Sequence, residues 1–187
     1  MASNESIISG KFRGSLGKEL VFRKWDDKTV VAKAPGKRNK ETITPAQQEI
    51  QEKFLMASVY GKKVLADEAM SEGYRAVLKP RQNVYSRAVA DFMKAPVIKK
   101  IDVRQYLGNA NDPVIIHAYD DFRIQGVIVE IRAADGALLE TGDASLHDNG
   151  VYWIYSAQQA NSSIAGCTVK AIVRDVPGNE TEQELVI

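Results

Sequence analysis

The spacing of apolar residues changes character once along this chain, and that change restricts it to few architectures. From Ile50 to Phe92 apolar side chains return every three or four residues, whereas from Ile98 onward they come in short runs separated by turn residues. Helices gathered in one stretch and strands in another describe an α+β chain, not the alternating plan of a parallel sheet. A length of 187 residues suits one large domain, or a small domain with an extension.

A third region precedes the helices. Residues 7–41 read as β structure: Leu20-Val21-Phe22 and Thr29-Val30-Val31-Ala32 flank Trp25-Asp26-Asp27-Lys28, the pattern of a hairpin. Gly10, Gly14 and Gly17 break the approach to it and supply bends or bulges. A lone hairpin is marginal in water, so this one has to lie on its own helices, the C-terminal domain or another subunit. Pro35-Gly36-Lys37-Arg38-Asn39-Lys40 then reads as an exposed basic linker.

Thr44-Pro45-Ala46-Gln47 opens the helical region, with an N-cap Thr, Pro at the first helical position and Gln at the third. Ile50, Phe54, Ala57 and Val64 recur at helical spacing, widened by Leu55, Val59 and Leu65, and predict a helix over 45–66. Gly73 interrupts the next stretch and leaves room for a short helical turn over 68–78. Val84, Tyr85, Ala88, Val89 and Phe92 predict a further helix over 81–93, ended by Ala95-Pro96.

Seven strand candidates follow, at 98–103, 114–119, 127–133, 138–141, 151–157, 168–174 and 183–187. Val151, Trp153 and Tyr155 share one side of their run, with Trp153 expected in the core and Tyr152 facing out. Seven short strands favour a two-sheet sandwich of immunoglobulin type. The expected organisation is a basic arm and hairpin over 1–41, two or three helices over 42–97, and a seven-stranded Ig-like β-sandwich over 98–187.

The runs Ala118-Tyr119-Asp120-Asp121-Phe122, Val127-Ile128-Val129-Glu130-Ile131, Asp135-Gly136 and Asp175-Val176-Pro177-Gly178-Asn179 resemble bacterial Ig-like domains across residues 98–187. Strand ends reading A-x-D-D and D-x-x-G-N are common there. The resemblance implies an adhesive or structural module more often than an enzyme, although fold does not fix function. The absence of a cysteine pair separates it from antibody domains. Gly14-Ser15-Leu16-Gly17, Val21-Phe22-Arg23 and Thr44-Pro45-Ala46-Gln47 resemble the head of uncharacterised bacterial proteins in which an Ig-like tail follows. That likeness implies no activity.

Charge is segregated along the same boundaries. Residues 1–40 hold ten Lys and Arg against four Asp and Glu, residues 41–100 ten against seven, and residues 101–187 five against thirteen. The overall charge of +1 therefore conceals a basic head and an acidic tail. Such a molecule can bind copies of itself head to tail, or offer its basic end to a polyanion. Runs such as Val127-Ile128-Val129 are far too short to span a bilayer, which needs roughly 20 residues. The first six residues lack the basic and apolar regions of a secretory signal. The expected location is the cytoplasm or an assembled particle.

No catalytic constellation is visible, and an enzyme is not expected. The single Cys167 excludes an internal disulfide or a cysteine metal cluster and reads as a small buried residue. His117 lies inside an apolar strand, and His147 precedes a turn. Gly14-Ser15-Leu16-Gly17-Lys18 lacks the spacing of a phosphate loop. Asp120, Asp121, Asp175 and Asn179 fall at strand ends. There they close turns through nearby backbone N–H groups; the alternative is Ca²⁺, which takes six to eight oxygen ligands. No other cofactor is implied.

Two readings of function follow. In the first, the chain is a structural subunit polymerising into a filament, tube or phage-tail-like particle. Phe12, Leu20, Phe22 and Trp25 would supply affinity, while Lys11, Arg13, Arg23, Lys24, Lys37 and Arg38 meet Asp120, Asp121, Glu140 or Asp143 of another copy. In the second, the basic head grips nucleic acid.

Overall fold

The computed structural model describes residues 13–25, 28–36 and 43–187. Among them are three helices and ten strands in two sheets, so the chain is α+β. It divides into two compact units at Pro45.

In the first unit, β1 (Gly14–Leu16), β2 (Leu20–Trp25) and β3 (Lys28–Lys33) form an antiparallel sheet in that order. The glycine-broken approach to the hairpin is thus itself a strand. Gly17 and Lys18 both take left-handed backbone, at φ 60° and 61°, and Glu19 N–H donates to Leu16 O at 3.1 Å. This tight reversal folds β1 back onto β2. Cross-strand partners Leu16–Leu20 and Phe22–Val31 share one face of the sheet.

The second unit opens with α1 (Pro45–Ala66), which starts at its proline. α2 (Glu68–Arg75) is capped by the Asp67 carboxylate, which accepts from Met70 N at 3.0 Å. α3 (Val84–Met93) carries a capping box between Asn83 and Ser86. The apolar stripe of α1 is only partly covered. Ala57, Gly61 and Val64 are buried, and Gly61 is needed there because a Cβ would come within 2.9 Å of Tyr85 and Val89. Ile50, Phe54, Leu55, Val59 and Leu65 are each more than half exposed.

Seven strands complete the unit: β4 (Val97–Asp102), β5 (Pro113–Tyr119), β6 (Ile124–Arg132), β7 (Leu138–Leu146), β8 (Tyr152–Ser156), β9 (Thr168–Asp175) and β10 (Glu180–Val186). Their order is β10-β9-β6-β7-β8-β5-β4. β7 is longer than the sequence pattern implies because it serves two partners. Residues 138–144 pair with β6, and Ser145 and Leu146 pair with β8. The two ends of the order, β4 and β10, lie beside each other. Thr181 Oγ1 donates to Pro96 O at 2.6 Å, and Asn179 Nδ2 donates to Lys94 O at 3.1 Å. The result is sandwich-like, close to a barrel.

Its core holds Val114 and Ile116 from β5, Val127, Val129 and Ile131 from β6, Val169, Ala171 and Val173 from β9, and Tyr155. Alternate residues of these strands point inward, as period-two patterning requires. Trp153 is partly buried and packs against this core beside Tyr155, which is 1% exposed, while Tyr152 faces out. The helices are tied to the strands through Phe122, which stacks on Tyr74 with ring centroids 4.0 Å apart and packs with Val64 and Ala88. Among the described residues no helix is long and apolar enough to cross a membrane.

Candidate assembly surfaces and a buried acidic centre

In the N-terminal sheet, not one described residue from 13 to 36 is buried. Leu16 is 63% exposed, and Leu20, Val30 and Val31 lie between 39% and 47%. Three strands this short cannot cover their own apolar faces, and among the described residues of the unit no second layer lies over them. Arg13, Arg23 and Lys24 are exposed alongside them. The expectations for Lys11, Phe12, Lys37, Arg38 and the Trp25 side chain fall outside the described residues.

The acidic residues assigned to receive this sheet are placed unequally. Asp143, on β7, is exposed. It borders a shallow groove of about 180 Å³ on the outer face of β6, β7 and β9, lined by Gln125, Gly126, Ile128, Ile172 and Arg174. Glu140 is corrected. It is 7% exposed, and its Oε2 accepts from Gln158 N at 2.7 Å and Gln159 N at 3.1 Å. A carboxylate spent on backbone N–H groups in the interior is not a surface charge for another copy. It also neighbours Tyr155, whose phenol is pushed up to about 12 by burial and then by the Glu140 charge.

Asp120, Asp121, Asp175 and Asn179 do meet at one pole of the strand unit, and turn chemistry occupies them. Asp120 Oδ2 accepts from Phe122 N at 2.9 Å and Arg123 N at 3.0 Å. Asp175, fully buried, accepts from Gly178 N at 2.8 Å through Oδ1 and from Asn179 Nδ2 at 2.7 Å through Oδ2. Burial raises its pKa, and the Asn179 hydrogen bonds oppose that. Asp121 pairs with Lys94 Nζ at 2.5 Å, which holds its carboxyl below the usual range. Among the described residues no group of three His, Cys, Asp or Glu is arranged to hold a metal ion.

The same pole contains a buried centre that sequence reasoning missed. Asp91 of α3 has no exposed surface. Its Oδ2 accepts from Tyr74 OH at 2.6 Å, and Tyr74 OH lies 2.9 Å from Tyr60 OH. Its Oδ1 has no hydrogen-bond partner, nor has the buried Oδ1 of Asp120. Desolvation raises the Asp91 carboxyl to about 6; Tyr74 opposes that, Asp120 and Asp175 add to it, and Arg87 opposes it. Arg87 is 6% exposed and donates to Asp121 O. The available signal was the pair of charges at 87 and 91, four apart, in the otherwise apolar run Ala88-Val89-Ala90-Asp91-Phe92. Charges at such positions are buried only when paired.

The histidines flank Tyr152. His117 meets its ring edge-on at 5.1 Å, and His147 N–H donates to Tyr152 O at 2.8 Å. Cys167 is buried before β9, its thiol donating to Ser163 O at 3.1 Å.

No family model matches this chain, and no curated protein does. Among solved structures it is similar to the crystal structure of an engineered protein, at 18% identity over 59% of this chain and a TM-score of 0.33. The match spans 28% of that protein's length.

Proposed function

We propose that the chain is a non-enzymatic structural subunit that joins copies of itself head to tail, its N-terminal sheet lying on the strand unit of the next copy. The observation that carries this reading is the N-terminal sheet itself. None of its described residues is buried, while Leu16, Leu20, Val30 and Val31 stand in water. Contiguous apolar surface rimmed by charge is the signature of a contact surface. A second copy is the partner that charge selects: the head is basic, and residues 101–187 hold thirteen acidic against five basic residues.

The groove beside Asp143 has the matching chemistry, with Ile128 and Ile172 for apolar side chains and a carboxylate for a basic one. Strand order supports an immunoglobulin-type sandwich for this unit: β4, β5 and β8 on one side, β6, β9 and β10 on the other, with β7 shared. Apolar residues of the arm supply affinity, and rim charges set register and association rate. A heterologous contact that does not close yields a filament, a tube or a phage-tail-like particle.

The test is negative-stain microscopy of the full-length chain beside the double variant Leu20→Asp, Val31→Asp. Extended particles are expected from the former, and only small species with an unchanged melt from the latter. Identical particles from both would remove the arm from the contact. The alternative, a nucleic-acid grip by the same basic sheet, would instead appear as a gel shift that weakens steeply with salt.

A further inference from the structure

The outer face of α1 is a second contact surface, and it does not depend on the N-terminal sheet. The stripe Ala57, Gly61 and Val64 faces the interior. On the opposite side lie Gln48, Glu52, Leu55, Val59, Lys62 and Ala66, and all six are exposed. Their spacing is four, three, four, three, four, the repeat that keeps one seam of a helix against another helix. Leu55 and Val59 at the centre are 66% and 61% exposed, with Met56 beside them at 61%. Large apolar side chains clustered at the centre of an exposed helix face and flanked by charge mark a contact surface.

The distribution of charge identifies what covers it. Along the seam Glu52 precedes the apolar pair and Lys62 follows it, three residues away on each side. Laid antiparallel against a second copy with the two-fold axis at the level of Ala57, residue 55 faces 59, residue 52 faces 62 and residue 48 faces 66. Every seam position then finds a suitable partner: Leu55 with Val59 twice at the centre, Glu52 with Lys62 twice at the flanks, and Gln48 with Ala66 at the ends. Parallel pairing in register would set Glu52 on Glu52 and Lys62 on Lys62, which repels. Neither Glu52 nor Lys62 has an ion-pair partner among the described residues of its own chain. We infer that two copies of this chain pair through α1, antiparallel about a two-fold axis near Ala57, with Leu55–Val59 contacts flanked by Glu52–Lys62 ion pairs. Such a contact is isologous and closes on itself, unlike the head-to-tail contact proposed above.

Charge reversal tests this directly, because both residues are exposed and their exchange leaves the fold alone. In sedimentation velocity of the full-length chain over a concentration series, Glu52→Lys and Lys62→Glu are each expected to weaken the pairing about tenfold, since each creates two like-charge contacts per dimer. The double variant restores pairing to near the original level. An arm that is insensitive to head-to-tail assembly is a mixture of Leu55→Cys chains with Val59→Cys chains under mild oxidation. Mixed disulfide dimers should exceed either homodimer, and the buried Cys167 does not compete. A chain that stays unpaired at every concentration, single variants that associate like the parent, or a double variant no better than its parents would each overturn the inference. So would the lack of excess mixed dimers, which would leave the face to the chain's own N-terminal unit or to another protein.

Discussion

The two sheets of this molecule use the same local grammar and reach opposite outcomes. β1–β3 and β4–β10 are both antiparallel, and both carry apolar residues on a common face. In the seven-stranded sheet, Val114, Ile116, Val129, Ile131, Val169 and Val173 are at most 0% exposed. In the three-stranded sheet no described residue is buried at all. Composition does not separate them, since Thr29-Val30-Val31-Ala32 is as apolar as much of β9. The difference is a second layer. Seven strands are enough for the sheet to turn on itself through β7 and bring β4 beside β10, so each inward face meets another. Among the described residues, the three strands show no second layer of their own.

The largest expected effect sharpens that contrast in the numbers of an unfolding curve. Ile116→Ala should cost about 2–5 kcal/mol of stability, because it opens a cavity in a closed core. Val31→Ala, at a residue 47% exposed, should stay within about 0.5 kcal/mol in the dispersed protein and act on assembly instead. Chemical denaturation of both variants with particle counts would break the comparison if the two residues behaved alike.

A smaller effect concerns what closes the pole of the strand unit. Tyr74→Phe removes the hydroxyl that donates to Asp91 Oδ2 and leaves neither oxygen of a buried carboxyl bonded. A loss of about 1–3 kcal/mol is expected, the range for an abandoned buried polar group. An unchanged melt would mean that the helices contribute nothing to the closed sheet beyond covering it.

The smallest effect is a slope. Asp91 rises from an ordinary 3.8 to about 6 in the folded chain. A carboxyl whose folded pKa is raised adds stability that is complete below its unfolded value and is lost as pH rises through its folded one. The melting temperature should therefore decline between about pH 4 and pH 7, and Asp91→Asn should flatten much of that decline. Asp175, also raised by burial, accounts for what slope remains. A variant as steep as its parent would place the titrating group elsewhere.

Elements were more legible than surfaces. The proline at 45 marked the start of α1, the run of turn residues separated seven strands, and Asp120 and Asp175 were readable as turn closers, because each of these depends on a few neighbouring residues. Glu140 was misread for the converse reason. Its neighbours Leu139 and Thr141 say nothing about Gln158 and Gln159, whose N–H groups draw it inward across a loop. Asp91 and Tyr74 were missed likewise, since the hydrogen bond between them joins two helices 17 residues apart. The covered stripe of α1 was visible through Ala57 and Val64, but Leu55 and Val59, read as widening it, lie on the opposite, exposed side of the helix.

From its residues alone this chain is committed to helices followed by strands, to a basic head and an acidic tail, and to a front segment too small to make a core. Those properties are set by periodicity, turn chemistry and charge, which act over a handful of positions. Tertiary structure alone decided which apolar faces met a second layer, which carboxylates were drawn inside, and that both the N-terminal sheet and the outer side of α1 were left in water. Burial is a relation between segments far apart in the chain, and it exists only once they have packed.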